Sequence, residues 1–423
     1  MPRLIILMLL LAPVAAGAVT REAAIRYAVS RAEDIRISRE TANVLRARGD
    51  GATAFTLPQA TFESAYIELD DTRESLPEMF SAFDSPSRDI SVGYRASQLL
   101  FAGGRIRSSW ALRKAIYEQA AILDRIGERE VRRTVKLAFD AVLLEQAVLA
   151  IVRDRLDQRM EELRDARDLW EAGMVTSLDV RQARLNVNSA RTSLEAEQTA
   201  FRESLITFNL ALGRSGKDEL WLPEGSLTDI PDTGPLLMAL RQALVDEALL
   251  DVKAREMERL AARYSYRIAE GEKWPEIALV STGTTSGERE DEMDESWSLG
   301  LTLTWYLFDG GRISANTART RSELRIAEDT LSKTRKALAG DIEIIADKVR
   351  SVQNRSRIEE ESVILSEKNY EDARSQYRAG TITQVELGVF SLSFAESRYR
   401  LQRLRFLQRE LITAAEALLE FPD

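Results

Sequence analysis

A seven-residue stretch occurs twice in this chain and decides its fold: LFAGGRI at residues 100–106 and LFDGGRI at residues 307–313. A second stretch recurs at the same displacement of 207 positions (307 against 100, 373 against 166), with ARDLWEAG at residues 166–173 and ARSQYRAG at residues 373–380. Because both motifs share one offset, the residues between them carry no net insertion. The chain is therefore predicted to contain one structural unit in two copies.

The two copies have the same predicted order of elements. A helical segment comes first, at about residues 20–48 and again at about 235–269. A strand follows a Leu-Pro or Trp-Pro dipeptide, a polar loop leads to a second strand that ends at the double glycine, and two long helices complete the copy. We accordingly divide the chain into a first repeat at residues 19–234 and a second repeat at residues 235–423.

The long helices are predicted from a narrow apolar stripe. In the second copy, apolar side chains step by three and four residues across residues 324–352, and residues 131–142 hold equivalent positions in the first. This spacing is typical of a coiled-coil seam. No proline interrupts residues 105–212 or 312–421. A helix of about 66 residues is roughly 100 Å long, so these helices are predicted to form a spacer or a wall.

The strands show the opposite periodicity. Apolar side chains alternate with small or polar ones across residues 297–307, and residues 90–100 keep the same parity except at Gln98. This pattern suits tilted transmembrane β-strands, although one such strand alone would fit a soluble core better. Four strands per chain are too few to close a barrel, and a membrane does not tolerate open edges. Several chains must therefore contribute strands, and three would supply twelve.

The composition excludes most classes of enzyme. The chain contains no cysteine and no histidine, which rules out disulfides, a lipid-bearing cysteine, Cys- or His-based metal sites, and Ser-His-Asp or Cys-His catalysis. A net charge of −10 disfavours a nucleic-acid partner. Carboxylate or lysine chemistry remains, but no local motif indicates either. We predict a protein that is not an enzyme and needs no cofactor or metal.

The first residues have the pattern of a secretory signal peptide. Arg3 precedes an apolar run at residues 4–15, and Ala16, Gly17 and Ala18 fit a small-x-small cleavage site. The run is too short to span a bilayer as a helix, and no later segment has about 18 uninterrupted apolar residues. We predict that residues 1–18 are removed, with a retained N-terminal anchor as the alternative. The mature chain would lie outside the cytoplasm.

These motifs resemble those of the TolC-like outer-membrane efflux protein family, the channels of tripartite efflux and type I secretion systems. The resemblance rests on the duplicated Leu-Phe-x-Gly-Gly turn and on GMVTSLDV at residues 173–180 with GTITQVEL at residues 380–387. It implies a homotrimer, mainly α with a small β part. A trimeric α-helical barrel in the periplasm would join a twelve-stranded transmembrane β-barrel in outer-membrane lipid.

The same resemblance implies partners and a function. The periplasmic end would dock on a periplasmic adaptor (membrane fusion) protein and an inner-membrane efflux pump or ABC exporter. The trimer would passively conduct drugs, metal ions or polypeptides to the exterior.

Four glycines are predicted to bend the chain from strand to helix, because glycine tolerates the backbone angles that such a bend requires. They are Gly103, Gly104, Gly310 and Gly311. Relatives usually carry a proline just before Leu-Phe, where Leu99 and Tyr306 stand in this chain. The resemblance therefore implies a bend that is kept but less rigidly set.

Gly173 and Gly380 interrupt each helical pair at its midpoint. A glycine in this place is first a helix stop, so we predict that these two residues form the tips of helical hairpins. The resemblance adds that the tips lie deep in the periplasm and contact the adaptor.

The resemblance also implies a gate near the tips. Asp179 and Tyr377 match an acid and a tyrosine whose hydrogen bonds hold the closed entrance, and Glu386 matches an acid that narrows the pore. Acids around a threefold axis repel one another, attract cations and raise one another's pKa. Val389 and Ile382 replace a second acid and a locking arginine, which implies a weaker lock. Alternatively, Asp179 and Glu386 only complement the helix dipole.

Two other classes of protein remain as alternatives. A soluble periplasmic coiled-coil adaptor of an export system also uses long helical hairpins, but it places them among domains rich in short strands. A secreted coiled-coil filament would not need alternating strands at matching places in both copies. Membrane fractionation separates an adaptor from a channel, since an adaptor without its anchor needs no detergent.

Overall fold

The computed structural model describes residues 18–68, 88–215, 219–287 and 293–419, so nearly all of the predicted signal peptide lies outside the described residues. In chain order the elements are β1 (Ala18–Val19), α1 (Arg21–Arg31), α2 (Glu33–Ala54), β2 (Gln59–Glu68), β3 (Arg88–Ala102), α3 (Arg105–Glu171), α4 (Ser177–Ala211), β4 (Leu222–Pro223), α5 (Gly234–Val245), α6 (Leu250–Gly271), β5 (Glu276–Gly287), β6 (Asp294–Thr304), α7 (Arg312–Arg378) and α8 (Gln384–Leu419). The prediction of a mainly helical chain with a small sheet is confirmed.

The order of elements repeats. Two shorter helices, two strands and two long helices occur in the first half of the chain and again in the second. Helices α3 and α7 each have 67 residues, and both ends of α7 lie 207 residues after those of α3 (312 against 105, 378 against 171).

Each predicted first helix is in fact two helices. The segment predicted at about residues 20–48 breaks at Ala32, whose backbone N–H still donates to the Ala28 oxygen while its own angles leave the helical region. The segment predicted at about residues 235–269 breaks between α5 and α6, where Glu247 has a φ of 52°. Neither break has a glycine or a proline, the residues that usually mark the end of a helix in a sequence. The sequence therefore does not reveal either break.

The four long strands form one antiparallel sheet in the order β2-β3-β5-β6. Phe62, Tyr94, Gly283 and Trp297 are neighbours in one row across the sheet. The three aromatic side chains of this row are exposed, with Trp297 at 79%. Because successive side chains point to opposite faces, the next row, which includes Arg95 and the hydrogen-bonded Thr282 and Ser298, lies on a polar face.

Two details of the strand prediction are wrong. The register between β3 and β5 shifts between Leu99 and Phe101, so Phe101 rather than Leu100 pairs with Ile277. A β-bulge inserts one extra residue and changes the parity beyond it. The second copy's strand ends at Thr304 and not at Leu307. Just beyond its end, Trp305 lies outside the ladder, and its indole nitrogen donates to the Lys273 oxygen (3.1 Å).

The chain divides into two compact units, and each contains segments from both repeats. The first unit comprises Met1–Arg39, Asp124–Leu250 and Arg335–Asp423, and the second comprises Glu40–Leu123 and Asp251–Thr334. The second unit holds the sheet. Among the described residues, no helix has both the length and the apolar character needed to cross a membrane.

The predicted seam is the buried face of the long helices in the first unit. Leu338, Ile342, Val349 and Val352 are buried on α7, whereas the residues between them are mostly exposed. The matching stripe on α3 packs against α1 and α4 in one core cluster.

A buried ionic cluster that periodicity did not indicate joins α1, α3 and α8 in the first unit. The Asp140 carboxylate accepts from Arg21 (3.0 Å) and from Arg409 (2.9 Å). Arg409 also donates to the backbone oxygens of Ser226 (3.2 Å) and Asp229 (2.9 Å). Burial raises the pKa of Asp140 even though both arginines oppose the shift.

Candidate functional site

The four predicted bend glycines all have left-handed backbone angles. Gly103 and Gly104 have φ values of 55° and 83°, and Gly310 and Gly311 have 66° and 88°. Each pair lies immediately before a long helix. An L-residue pays about 1–2 kcal/mol for such an angle, which explains why both copies carry a double glycine here.

The two bends differ in their surroundings. A Cβ atom on Gly103 would lie 2.5 Å from the Trp274 Cβ and 2.6 Å from the Gly271 oxygen, so this bend is packed tightly. A Cβ atom on Gly310 would meet nothing within 4 Å. In the second copy the Asp309 carboxylate instead accepts from the backbone N–H groups of Gly311 (3.0 Å) and Ile313 (2.6 Å).

Gly173 ends α3 in the way its sequence position predicts. Its φ is 74°. Its N–H donates to the Trp170 oxygen (2.9 Å), and the Met174 N–H donates to the Leu169 oxygen (2.8 Å). This pair of bonds is the Schellman motif, which satisfies carbonyl groups at the end of a helix.

Gly380 ends α7 with the same geometry. Its φ is 71°. Its N–H donates to the Tyr377 oxygen (2.9 Å), and the Thr381 N–H donates to the Gln376 oxygen (3.0 Å). Each hairpin therefore turns through one Schellman motif at its glycine.

Both predicted tip acids form a capping box with a threonine three residues earlier. Asp179 Oδ2 accepts from the backbone N–H (2.9 Å) and hydroxyl (2.7 Å) of Thr176. Glu386 Oε2 accepts from the same two groups of Thr383, at 2.7 and 3.0 Å. The Thr383 backbone N–H, and then its hydroxyl, lower the pKa of Glu386. Within one chain, the two acids therefore cap the N-termini of α4 and α8.

Tyr377 is fully buried in an apolar cluster at the tips, with Leu387 and Phe394 of α8 among its members. Burial raises the pKa of its hydroxyl to about 12, and the Asp179 carboxylate adds to the shift. Among the described residues, the hydroxyl has no hydrogen-bond partner. The Asp179 carboxylate is taken up by Thr176, so the hydrogen-bonded lock between Asp179 and Tyr377 stays a prediction.

The sequence reasoning missed a second set of polar residues near the tips. Arg159 Nη1 lies 2.7 Å from the Glu162 carboxylate, and the Tyr370 hydroxyl donates to the same carboxylate at 3.2 Å. All three side chains are buried. A signal was present: Arg159 and Glu162 precede the buried Ala166 by seven and four residues, which places two charges on the core-facing stripe of α3.

An outer layer of ion pairs surrounds this set. Arg374 contacts Glu161 (2.6 Å) and Asp165 (3.3 Å), and Arg378 contacts Asp165 (3.0 Å). These pairs join α3 to α7 close to the tips. Arg378 is half exposed, so its pair is expected to contribute little to stability.

The fold therefore defines a duplicated protein in which strand pairs lead into long helical hairpins with matched tips. The model of the outer membrane efflux protein family matches residues 25–214 and 242–418. The chain belongs to this family, which confirms the predicted recognition and the location in the outer membrane. The family is described by efflux and not by catalysis, in agreement with the predicted absence of enzyme activity.

Individual relatives are more distant. A probable efflux pump outer membrane protein, SepC, from Pseudomonas putida is 26% identical over 228 residues, which cover 50% of this chain and 44% of the relative. A solvent efflux pump outer membrane protein, SrpC, from Pseudomonas putida is 27% identical over 244 residues, covering 53% and 48%. The chain thus spans about half the length of the curated relatives it matches.

Solved structures extend the likeness to almost the whole chain. The outer membrane protein VceC from Vibrio cholerae has a TM-score of 0.79 at 15% identity, covering 94% of this chain and 96% of that one. The CmeC outer membrane channel from Campylobacter jejuni has a TM-score of 0.80 at 13% identity, covering 94% and 85%. At these identities the likeness shows the fold.

Proposed function

We propose that this chain is one subunit of a homotrimeric outer-membrane channel with a periplasmic extension. The channel passively conducts drugs, metal ions or polypeptides to the exterior. It receives them from a periplasmic adaptor and an inner-membrane efflux pump or ABC exporter. In this proposal residues 1–18 are removed as a signal peptide, and residues 19–234 and 235–423 act as two structural repeats.

The four-stranded sheet is the observation that carries this proposal. One face exposes Phe62, Tyr94 and Trp297, and the other bears polar side chains such as Thr282. Within the described residues, β2 and β6 each pair on one side only. An exposed apolar face suits lipid and a polar face suits a water-filled lumen. Open edges are not tolerated in lipid, so three copies of this sheet would form a closed twelve-stranded barrel.

Cysteine cross-linking tests the closure. The chain has no native cysteine, so every disulfide reports an engineered pair. β2 and β6 lie three strand spacings apart, about 14 Å, which is beyond disulfide reach within one chain. We expect Ser64→Cys on β2, combined in turn with single cysteines at residues 296–302 of β6, to produce covalent trimers on oxidation in membranes. Val92→Cys on β3 with the same β6 panel is the matched control and should not cross-link.

Conduction is tested separately in planar bilayers. The purified trimer should form discrete ion-conducting channels, and the unheated protein should migrate as a threefold assembly in detergent. The proposal would be contradicted by a monomer that stays in solution without detergent or by the absence of channels.

We also propose that the tips carry the entrance and the adaptor contact. Four exposed apolar side chains support this: Met174, Leu178, Val385 and Val389. They lie beside Gly173 and Gly380, where a partner would cover them. Asp179→Ala combined with Tyr377→Phe should increase single-channel conductance if these residues hold the entrance closed with Glu386. Unchanged conductance would contradict the gate. Co-purification from cross-linked cells should capture the adaptor and the pump.

A further inference from the structure

Two adjoining cavities lie between α7 and α8 in the first unit, and α3 adds a further wall to the larger one. The larger cavity has a volume of about 440 Å³ and the smaller one about 260 Å³. Arg355 and Leu407 line both, so we treat them as one groove, here named the α7–α8 groove. Its lining on α7 ends at Glu359, 19 residues before Arg378 (378 against 359). That separation is about 28 Å of helix, so the groove lies away from the hairpin tips.

The floor of the α7–α8 groove is apolar. Val352, Leu404 and Leu411 line it and are 3%, 7% and 8% exposed. They belong to the core cluster that joins α7 to α8. Ile358 and Tyr399, which line the smaller cavity, remain 59% and 43% exposed. An apolar molecule in the groove would cover this surface and remove it from water, which is favourable.

The side chains that line the α7–α8 groove include more cations than anions. The cations are Arg133, Lys348, Arg355, Arg400 and Arg403. The carboxylates are those of Glu359 and Glu410. This local excess of positive charge occurs in a chain whose net charge is −10, so it does not follow from the overall composition.

Most of these cations are not neutralised by the chain itself. Arg133 pairs with Glu130 (2.9 Å), and Arg400 pairs with Glu359 (2.9 Å). The three that form no ion pair within the described residues are Lys348, Arg355 and Arg403. An anionic group in the groove would therefore gain partners without breaking an existing pair.

Two other cavities lack this combination of an apolar floor and unpaired cations. One of about 470 Å³ is lined largely by acids, among them Asp154, Asp157 and Glu161. The other, also about 470 Å³, lies on the sheet, where Glu63 accompanies Arg95 among small and hydroxyl side chains. Neither cavity would attract an anion with an apolar body.

We propose that the α7–α8 groove binds an amphipathic organic anion, a molecule with an apolar body and one carboxylate, sulfate or sulfonate group. The apolar body covers Ile358 and Tyr399. The anionic group pairs with Arg355, which lies where the two cavities meet and whose guanidinium can donate two parallel hydrogen bonds to an oxyanion. The larger cavity has the usual volume of a small-molecule site, about 300–1,000 Å³. This binding site goes beyond the channel function proposed above.

A matched pair of probes tests whether the groove recognises charge. Anilinonaphthalene sulfonate and N-phenylnaphthylamine have the same aromatic body, and only the first carries a negative charge. Ser351→Cys places a single thiol in the lining of the larger cavity, since the chain has no native cysteine. In the purified trimer, the sulfonate should slow maleimide labelling of this thiol about tenfold at a free concentration of about ten times its Kd. The neutral probe at the same free concentration should protect it little.

Ser322→Cys is the control thiol. It is exposed on the same helix, in the second unit, and lies outside the groove. Neither probe should change its labelling rate.

Charge variants test the cations directly. Lys348→Gln combined with Arg355→Gln removes two unpaired cations from the groove. An exposed ion pair contributes up to about a factor of five in affinity, so the Kd of the sulfonate should rise about tenfold. Arg350→Gln combined with Arg357→Gln is the matched control, because it makes the same change of charge on the same helix outside the lining. It should change the Kd less than about twofold.

Four outcomes would overturn the proposal. They are an absence of protection, equal protection by both probes, an equal loss of affinity in both double variants, and slow labelling of Ser351→Cys relative to Ser322→Cys without any probe. The last would mean that a neighbouring subunit or another protein covers the groove. Protection by the sulfonate in a protein that forms no channels would support the site while contradicting the channel function.

Discussion

The two strand-to-helix bends have the same sequence motif and opposite environments. At the first, Gly103 leaves no room for a Cβ atom between Trp274 and the Gly271 backbone, and at the second, Gly310 faces open space. Both need a left-handed backbone. A repeated motif can therefore preserve one local requirement, the backbone angle, while only one copy adds a packing requirement.

The largest expected effect is at the crowded bend. Gly103→Ala adds strain at a positive φ and forces Trp274 or the backbone of Gly271 to move. Together these should lower the free energy of unfolding by about 3 kcal/mol. Thermal melting in detergent and the yield of assembled trimer measure the effect.

Gly310→Ala is the matched control for that prediction. It has the same backbone strain without the clash, so the loss should be about 1 kcal/mol. If both variants lose the same free energy of unfolding, the crowding around Gly103 is relieved without cost. The two bends would then not differ in their packing requirement.

At the tips, in contrast, the two copies agree in their capping hydrogen bonds as well as in motif. Thr176→Ala and Thr383→Ala each remove the side-chain half of a capping box, so both should lower the free energy of unfolding by about 1 kcal/mol. Hydrogen exchange of the first turns of α4 and α8 should rise by similar factors. A response at only one tip would indicate that the two caps have different roles.

The smallest expected effect is a pH dependence within the first hairpin. Burial raises the pKa of Glu197 on α4 to about 7, and a hydrogen bond with Glu145 of α3 adds to the shift. A carboxyl group whose pKa is higher in the folded state favours folding when protonated. The free energy of unfolding should therefore fall as the pH rises from about 4.5 to about 7 and stay lower above that.

Glu197→Gln tests this dependence. Melting temperatures between about pH 5 and pH 8 should vary less in the variant than in the wild type, and the variant should be the more stable one at about pH 8. Glu195→Gln, an exposed neighbour on the same helix, serves as the control. If the wild-type profile is flat over this range, the carboxyl pair does not share a proton.

Local patterns predicted most of the element order. The double glycines located both bends, and Gly173 and Gly380 located both helix ends. The details that failed depend on neighbours in space. The bulge at Leu99–Phe101 is defined against Ile277 on another strand, and the early end of β6 leaves Trp305 bonded to Lys273. The sequence of one strand does not specify its register against a partner strand.

The residues of the candidate site likewise fall into those that the sequence could locate and those that it could not. Asp179 and Glu386 could be located from a threonine three residues earlier and a glycine before it, because capping is a local interaction. The polar set of Arg159, Glu162 and Tyr370 could not be located in this way, although Arg159 and Glu162 interrupt an apolar stripe. Their partner Tyr370 lies 208 positions from Glu162 along the chain.

The duplication, the bends and tips, the long helices and the membership of an outer-membrane family could all be predicted from the amino-acid sequence. They depend on residues close together in the chain or on repeated motifs. Which charges are buried together became visible only in the folded chain. Asp140 meets Arg21 and Arg409 across 119 and 269 positions. An arginine takes the same place in the helical spacing whether its guanidinium group is in water or beside a buried carboxylate. Only the packing of other helices around it excludes the water, and that packing involves residues far away in the chain.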